Sequence, residues 1–99
     1  MNEFYKCETS NEFAIISTRN ENWIKTPCFR FTFDGLKRSI RKTGPHGVAE
    51  KQNGEVVVDD KRYIRVYSAL LEEVKDAVID YFLDNNDSWL FFTRHLGGN

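Results

Sequence analysis

Apolar and polar residues alternate with a period of two over much of the first two thirds of the chain, which is typical of β-strands. The clearest stretch is 28–33, where Phe29, Phe31 and Phe33 alternate with polar residues, so three aromatic rings face one way. We expect these rings to lie in the core. Similar patterns predict further strands at 4–8, 13–18, 48–52, 55–59, 63–67 and, near the end of the chain, 89–96.

Three short segments between these strands are typical of turns. Asn53-Gly54 and Asp34-Gly35 are dipeptides that favour tight two-residue hairpins, because Asn, Asp and Gly tolerate positive φ. Asp59-Asp60-Lys61 has a similar composition and separates two predicted strands. The chain therefore contains several hairpins, which indicates an antiparallel sheet.

Residues 36–42 fit two different structures. Leu36 and Ile40 are four residues apart, as on a helix, with Asp34 placed to cap its start and Gly44 to end it. The same two residues also fit the alternation of a strand. We favour a short helix or turn for this segment.

One longer segment has helical periodicity. Ser68 can cap a helix that runs from about Ala69 to Asp84 and ends before Asn85-Asn86. Its apolar residues form one continuous arc, which comprises Leu70, Leu71, Val74, Ala77, Val78, Tyr81 and Phe82. The predicted fold class is α+β: a single domain over 1–99, with an antiparallel sheet of about five to seven strands packed by this long helix. Residues 97–99 are expected to be a loose tail.

Acidic residues recur every four positions on the opposite side of this helix. We call Glu72, Asp76, Asp80 and Asp84 the acidic row; Glu73 lies beside it and Asp87 just beyond it. Like charges at this spacing repel by roughly 0.2–0.5 kcal/mol per pair, and a helix C-terminus favours cations rather than acids. The row therefore costs helix stability, which suggests a functional role, although a solvated face is the simpler interpretation.

Two further features favour a protein interface over a solvated face. Ile79 and Leu83 are one turn apart and project beside the acids, so that acidic and aliphatic side chains are neighbours. Carboxylates about 6 Å apart also resemble the phosphate spacing of a nucleic-acid strand. A partner that carries a Lys/Arg groove for DNA or RNA is therefore a candidate, with the row as a mimic of nucleic acid.

Charge is unevenly distributed along the chain although its net value is only −1. Residues 25–51 carry a net +5 and residues 52–99 a net −4. Within the basic part, Lys37, Arg38, Arg41 and Lys42 are clustered and form a second candidate surface. Direct nucleic-acid binding by these cations is the alternative function. The near-neutral net charge of the chain argues against nucleic-acid binding as the main activity.

Catalytic and metal-binding patterns are missing from the sequence. Cys7 and Cys28 are too few for a disulfide framework and are expected to be buried thiols in a reduced, cytoplasmic protein. The His and Cys residues lack the spacing of zinc ligands, and nothing places a base beside a nucleophile. No signal-peptide pattern or membrane-spanning apolar run is visible. We therefore expect neither an enzyme nor a cofactor, a bound metal or a membrane association.

These observations predict a small protein-binding module, an inhibitor or accessory protein. Its size and charge pattern suit the proteins by which phages and mobile elements block a host nuclease or a CRISPR complex, such as anti-CRISPR proteins. A homodimer is a further alternative. It would join the basic part of one chain to the acidic part of another, or pair terminal strands through Trp89, Phe91 and Phe92.

Overall fold

The computed structural model of the chain describes residues 2–17, 22–44, 47–67 and 70–85. These residues form seven strands and one helix: β1 (Asn2–Cys7), β2 (Glu12–Ser17), β3 (Lys25–Asp34), β4 (Ser39–Lys42), β5 (Gly47–Gln52), β6 (Glu55–Val58), β7 (Lys61–Arg65) and α1 (Leu70–Asn85). The predicted strand at 89–96, the tail at 97–99 and Asp87 lie outside the described residues.

Six of the strands close into an antiparallel barrel in the order β1-β2-β3-β5-β6-β7, with β7 paired back to β1. The prediction of an α+β fold, with a sheet packed by a long helix, is therefore wrong, because the protein is mostly β and its sheet closes on itself. Closure becomes possible because β3 is ten residues long and changes partners along its length. Its first part pairs with β5 and its last part with β4, which extends from the barrel as a hairpin.

The barrel interior is a core made by the strands alone. Its buried side chains are mostly small or medium: Tyr5, Cys7, Ala14, Ile16, Cys28, Ala49, Val56, Val58 and Tyr63. Both cysteines are free and buried, as predicted. A six-stranded barrel has a narrow interior, so most of the inward-facing positions carry small or medium side chains, and Tyr5 and Tyr63 are the two large ones.

A second core lies between the outer wall of the barrel and α1. Phe29, Phe31 and Phe33 are buried here, which confirms their predicted place in the core. The centre of the Phe29 ring lies 5.0 Å from the centre of the Phe82 ring and 5.8 Å from that of the Tyr81 ring, both on the helix. Burial of side chains of this size contributes roughly 1.5–3 kcal/mol each, so these rings hold the helix against the wall.

Two hairpins follow the predicted turns. Asn53 and Gly54 have φ values of 53° and 81° between β5 and β6. Asp59 and Asp60 have φ values of 49° and 63° between β6 and β7. Positive φ at both central residues is the geometry whose twist matches a two-residue hairpin, so both turn predictions are confirmed.

The Asp60 turn supplies a test of this geometry. We expect Asp60→Gly to raise the free energy of unfolding by about 0.5–1 kcal/mol, because glycine adopts positive φ without steric cost. Asp60→Ala should lower it by a similar amount, because Ala lacks the side-chain oxygen that helps Asp tolerate this region. Urea denaturation measures both changes, and equal stabilities for the two variants would contradict the assigned backbone.

Residues 36–42 are not helical; the turn that the favoured interpretation also allowed is confirmed for residues 36–38, and the strand alternative is confirmed for residues 39–42. The chain turns over residues 35–38 and then forms β4. Asp34 does cap the segment: its Oδ1 accepts hydrogen bonds from the backbone N–H groups of Leu36 and Lys37, at 3.0 and 3.1 Å. The cap closes a four-residue turn rather than starting a helix, and Arg38 completes the turn with a φ of 52°.

Polar side chains close both ends of the barrel. At one end the Tyr5 hydroxyl donates to Glu3, 3.0 Å away. At the other end the Tyr63 hydroxyl donates to Glu12, 3.2 Å away. Burial, reinforced by the neighbouring carboxylate, raises the pKa of Tyr5 to about 12 and also raises the pKa of Tyr63. Burial raises the pKa of the Cys28 thiol to about 11.

These shifts predict that the protein loses stability in alkali. The unfolded chain releases the Cys28 and Tyr5 protons near pH 9 and 10, whereas the folded chain holds them to about pH 11 and 12. The stabilisation is therefore present below about pH 9 and is lost as the pH rises towards 12. Urea titrations between pH 8 and 11 should show a falling free energy of unfolding, with a smaller fall for Tyr5→Phe. An identical fall in the variant would contradict the role of Tyr5.

Candidate protein-binding face

The helix α1 begins and ends within one residue of the predicted bounds. Its buried side chains are Val74, Ala77, Val78 and Phe82, which belong to the predicted apolar arc and face the outer wall of the barrel. The opposite side of the helix is left to solvent. None of the described helices is long and apolar enough to cross a membrane.

The acidic row faces outward, as predicted. All four of its residues are exposed, and so is Glu73. Within residues 2–17, 22–44, 47–67 and 70–85, only Glu73 among the helix acids forms an ion pair; its partner is Arg38. Among the described residues, the carboxylates of the row thus have no ion-pair partner along the length of the helix.

The helix dipole separates the acidic residues into two groups. Glu72 and Glu73 lie in the first turn, where the positive end of the dipole stabilises acids by roughly 0.3–1 kcal/mol. Asp84 lies in the last turn, which contains no basic residue and where an acid is unfavourable. Helix stability thus accounts for the first two acids and leaves Asp80 and Asp84 without a local structural reason.

An aliphatic stripe runs beside the acidic row. Lys75, Ile79 and Leu83 follow each other at four-residue spacing; the first two are partly buried and Leu83 is exposed. Ile79 is half-buried, so the expectation that it is an exposed contact is only partly correct. Leu83 is 74% exposed. The C-terminal half of the helix therefore combines carboxylates with an exposed leucine.

The four clustered cations do not form one patch. Lys37 and Arg38 lie in the turn before β4, and Arg41 and Lys42 lie in β4 itself. Lys42 pairs with Phe31 and points to the helix side, where its Nζ lies 6.0 Å from the Phe29 ring. Because successive strand residues face opposite ways, Arg41 points to the other side of β4.

The far side of β4 carries its own small groove. A cavity of about 400 Å³ there is lined by Lys37 and Arg41 together with Thr32, Asp34 and Ser39. Lys42 and Arg38 lie on the helix side instead. The predicted second surface is thus divided between two faces, which neither its spacing in the sequence nor its net charge could indicate.

One contact joins the basic hairpin to the helix. Arg38 Nη2 lies 3.7 Å from Glu73 Oε1, and the two side chains are 74% and 47% exposed. An exposed pair of this kind contributes at most about 1 kcal/mol. It nevertheless places the hairpin turn beside the first turn of α1, so the two predicted surfaces are neighbours and not separate sites.

The hairpin turn also presents a residue that sequence reasoning assigned to no surface. Leu36 is 99% exposed, although its backbone is held by the Asp34 cap. The sequence offered one signal: a leucine between a glycine and two cations is more typical of a turn than of a packed helix. Leu36 on the hairpin turn and Leu83 near the end of α1 are therefore both leucines exposed to solvent.

Comparison with known proteins identifies no relative. No family model matches the chain, and neither a curated protein nor a solved structure shows significant similarity to it. Among the described residues, no group of three His, Cys, Asp or Glu side chains is arranged to hold a metal ion.

Proposed function

We propose that this protein is a non-enzymatic protein-binding module whose principal contact surface is the acidic row with Leu83. The observation that carries the proposal is the exposure of Asp76, Asp80 and Asp84 without an ion pair within the described residues. A segment under selection for helix stability alone would place a Lys or Arg near Asp84, where the dipole favours it. A cationic partner removes the same electrostatic penalty by pairing with the row.

The chemistry of the row defines the partner. Carboxylates one helical turn apart are separated by about 6 Å, which is close to the phosphate spacing that a Lys/Arg groove accepts. The partner is therefore a protein with such a groove, and binding of the helix excludes DNA or RNA from it. Leu83 adds an apolar contact of the kind found at the centre of protein interfaces.

This activity suits an inhibitor or accessory protein of a nucleic-acid enzyme. By analogy of size and charge, the partner class includes host nucleases and CRISPR complexes, which would place the protein in the cytoplasm. Affinity would come from the fixed spacing of the carboxylates on a docked helix, because the backbone that carries them is already ordered before binding.

Direct nucleic-acid binding by the basic hairpin is the weaker alternative. Its cations are divided between two faces, and Arg38 is paired with Glu73. Acids of α1 beside the turn would also repel a phosphate backbone. This alternative predicts retention on a phosphate-bearing column with steep release by salt.

The proposal is tested by affinity capture of a partner protein from a host-cell lysate. The lysate is first treated with nuclease, so that nucleic acid does not bridge the two proteins. The wild-type protein should retain a partner, and Asp76→Lys with Asp80→Lys should lose it. A matched control with two charge reversals on the far side of the hairpin, Lys37→Glu with Arg41→Glu, should retain it. Equal capture by the helix variant, or loss only in the hairpin variant, would contradict the proposal.

A further inference from the structure

The far side of the β3–β4 hairpin carries two cations that the rest of the described chain does not compensate. Lys37 and Arg41 line the cavity of about 400 Å³ there, together with Thr32, Asp34 and Ser39. Both cations are exposed, and within the part of the chain that the structure describes neither forms an ion pair. The Asp34 carboxylate in the same lining accepts hydrogen bonds from the backbone of the turn instead. The lining therefore has an excess of positive charge whose cations are open to an anionic partner.

A second cavity extends this one towards the turn. It has a volume of about 490 Å³, shares Thr32 and Asp34 with the first cavity, and is also lined by Leu36. Leu36 is 99% exposed, so nothing among the described residues covers its side chain. We call the two cavities together the hairpin groove. The hairpin groove thus presents cations beside an exposed leucine.

The outer side of α1 has the complementary composition. Asp80 and Asp84 of the acidic row are exposed, and the described ranges supply neither with an ion-pair partner. Leu83 beside them is 74% exposed. Each surface therefore combines charges of one sign with an exposed leucine, and the two signs are opposite, which is the pattern of two surfaces that fit each other.

The spacing of the charges favours a row of carboxylates over a phosphate backbone in the hairpin groove. Ser39 and Arg41, two residues apart on one face of β4, are separated by about 7 Å, and carboxylates one helical turn apart by about 6 Å. Two neighbouring carboxylates can therefore meet the Ser39 hydroxyl and the Arg41 guanidinium together. A nucleic-acid strand carries one charge per roughly 3.4 Å, about twice the density of the row. The small positive excess of the groove compensates the sparser row better.

The two surfaces lie on opposite sides of the hairpin. Ile40 packs against the outer core on the helix side of β4, so Arg41 points away from the helix. The acidic row faces away from the same core on the outer side of α1. A chain therefore cannot place its own row in its own groove. Two copies cannot exchange both contacts across a twofold axis either, so each contact between copies is head to tail.

We propose that the hairpin groove binds the acidic row of a second copy of this chain, so that the protein self-associates head to tail. Lys37 and Arg41 pair with carboxylates of the row, and Leu36 packs against Leu83. The contact is small and its charges are exposed, so the association is weak and sensitive to salt. Self-association covers the row, so a cationic partner of the row competes with it. This contact extends beyond the proposed function and needs no partner other than the chain itself.

Sedimentation equilibrium of the purified protein, from about 10 μM to about 1 mM, tests this contact. In about 50 mM salt we expect the weight-average mass to rise with concentration beyond that of a dimer, because each added copy leaves one groove and one row unoccupied. In about 500 mM salt the mass should fall back towards that of the monomer, because the pairing charges are screened.

Two variants separate the two halves of the contact. Lys37→Gln with Arg41→Gln alters the groove, and Asp80→Asn with Asp84→Asn alters the row. Each variant alone should associate at least about tenfold more weakly than the wild-type protein. An equimolar mixture of the two variants keeps one intact groove and one intact row, so it should form a dimer that grows no further.

A matched control removes two exposed cations elsewhere. Lys25→Gln with Arg62→Gln has the same net charge as the groove variant and should associate as the wild-type protein does. All the altered residues are exposed, so the variants are expected to fold, which thermal denaturation verifies.

Three results would overturn the proposal. The first is a wild-type protein that stays monomeric at about 1 mM in low salt; binding of a labelled oligonucleotide by the groove of this monomer would then identify nucleic acid as its occupant. The second is a mass that stops at the dimer, which contradicts the head-to-tail contact. The third is unchanged association of either variant. Capture of a partner by the acidic row does not depend on any of these results.

Discussion

Phe29→Ala is expected to lower the free energy of unfolding by about 3–5 kcal/mol. Phe29 is fully buried in the outer core, where its ring contacts Phe82, Tyr81 and Phe31. Removing the ring leaves a cavity between the barrel wall and α1, and the rigid strand behind it cannot move to fill the space. The loss would be a large fraction of the stability of a domain of this size.

Chemical denaturation measures this effect, and Leu36→Ala provides the control. Leu36 is 99% exposed, so its truncation should change stability by less than about 0.5 kcal/mol. Circular dichroism of Phe29→Ala under native conditions would show whether helical signal is lost with the ring. A cost of less than 1 kcal/mol for Phe29→Ala would contradict the packing of the helix on the outer wall.

Gly47→Ala should lower the free energy of unfolding by about 1–3 kcal/mol. A methyl group at this position would lie 3.0 Å from Arg30 Nε and 3.3 Å from Cys28 Sγ. Cys28 is buried, and Arg30 is held by its ion pair with Asp59, so neither neighbour can move away at low cost. Position 47 thus favours glycine, because the Arg30 side chain packs directly against it.

A double-mutant cycle identifies the cause of this cost. Arg30→Ala removes the arginine side chain that the new methyl group would meet, so Gly47→Ala should cost less in that background. Asp59, which loses its partner, is 62% exposed and can be solvated. Additive effects of the two changes would show that the crowding does not involve Arg30.

The sequence predicted local structure well where a single pattern dominates. The helix was predicted within one residue of its bounds because its apolar arc spans four turns. Asn53-Gly54 was assigned correctly because positive φ at both positions restricts the residue types. The outward orientation of the acidic row followed directly from the position of that arc.

Closure of the barrel did not follow from the pattern, because alternation reports which face is apolar and not whether the sheet closes. A signal was present in residue size. Cys28 alternates with Phe29, and Ala14 alternates with Phe13 and Ile15, so both faces are apolar but one has smaller side chains. Small residues on one face of paired strands indicate a narrow closed interior.

Of the two candidate surfaces, the orientation of the acidic row was predicted correctly, and the extent of the basic cluster was not. Charges on α1 share one face because the helix repeat brings every fourth residue together. Arg41 and Lys42 are adjacent in sequence and were counted together, but they lie in a strand and point to opposite sides. An error in the secondary structure of residues 39–42 thus became an error in the extent of a surface.

Displacement of nucleic acid from the captured partner tests the central claim most directly. Fluorescence anisotropy would follow a labelled duplex bound to the purified partner while the wild-type protein is added. We predict that the duplex is released, and that Asp76→Lys with Asp80→Lys needs at least about a hundredfold higher concentration to release it. Binding of the wild-type protein while the duplex remains bound would contradict the claim that the acidic row occupies a nucleic-acid groove.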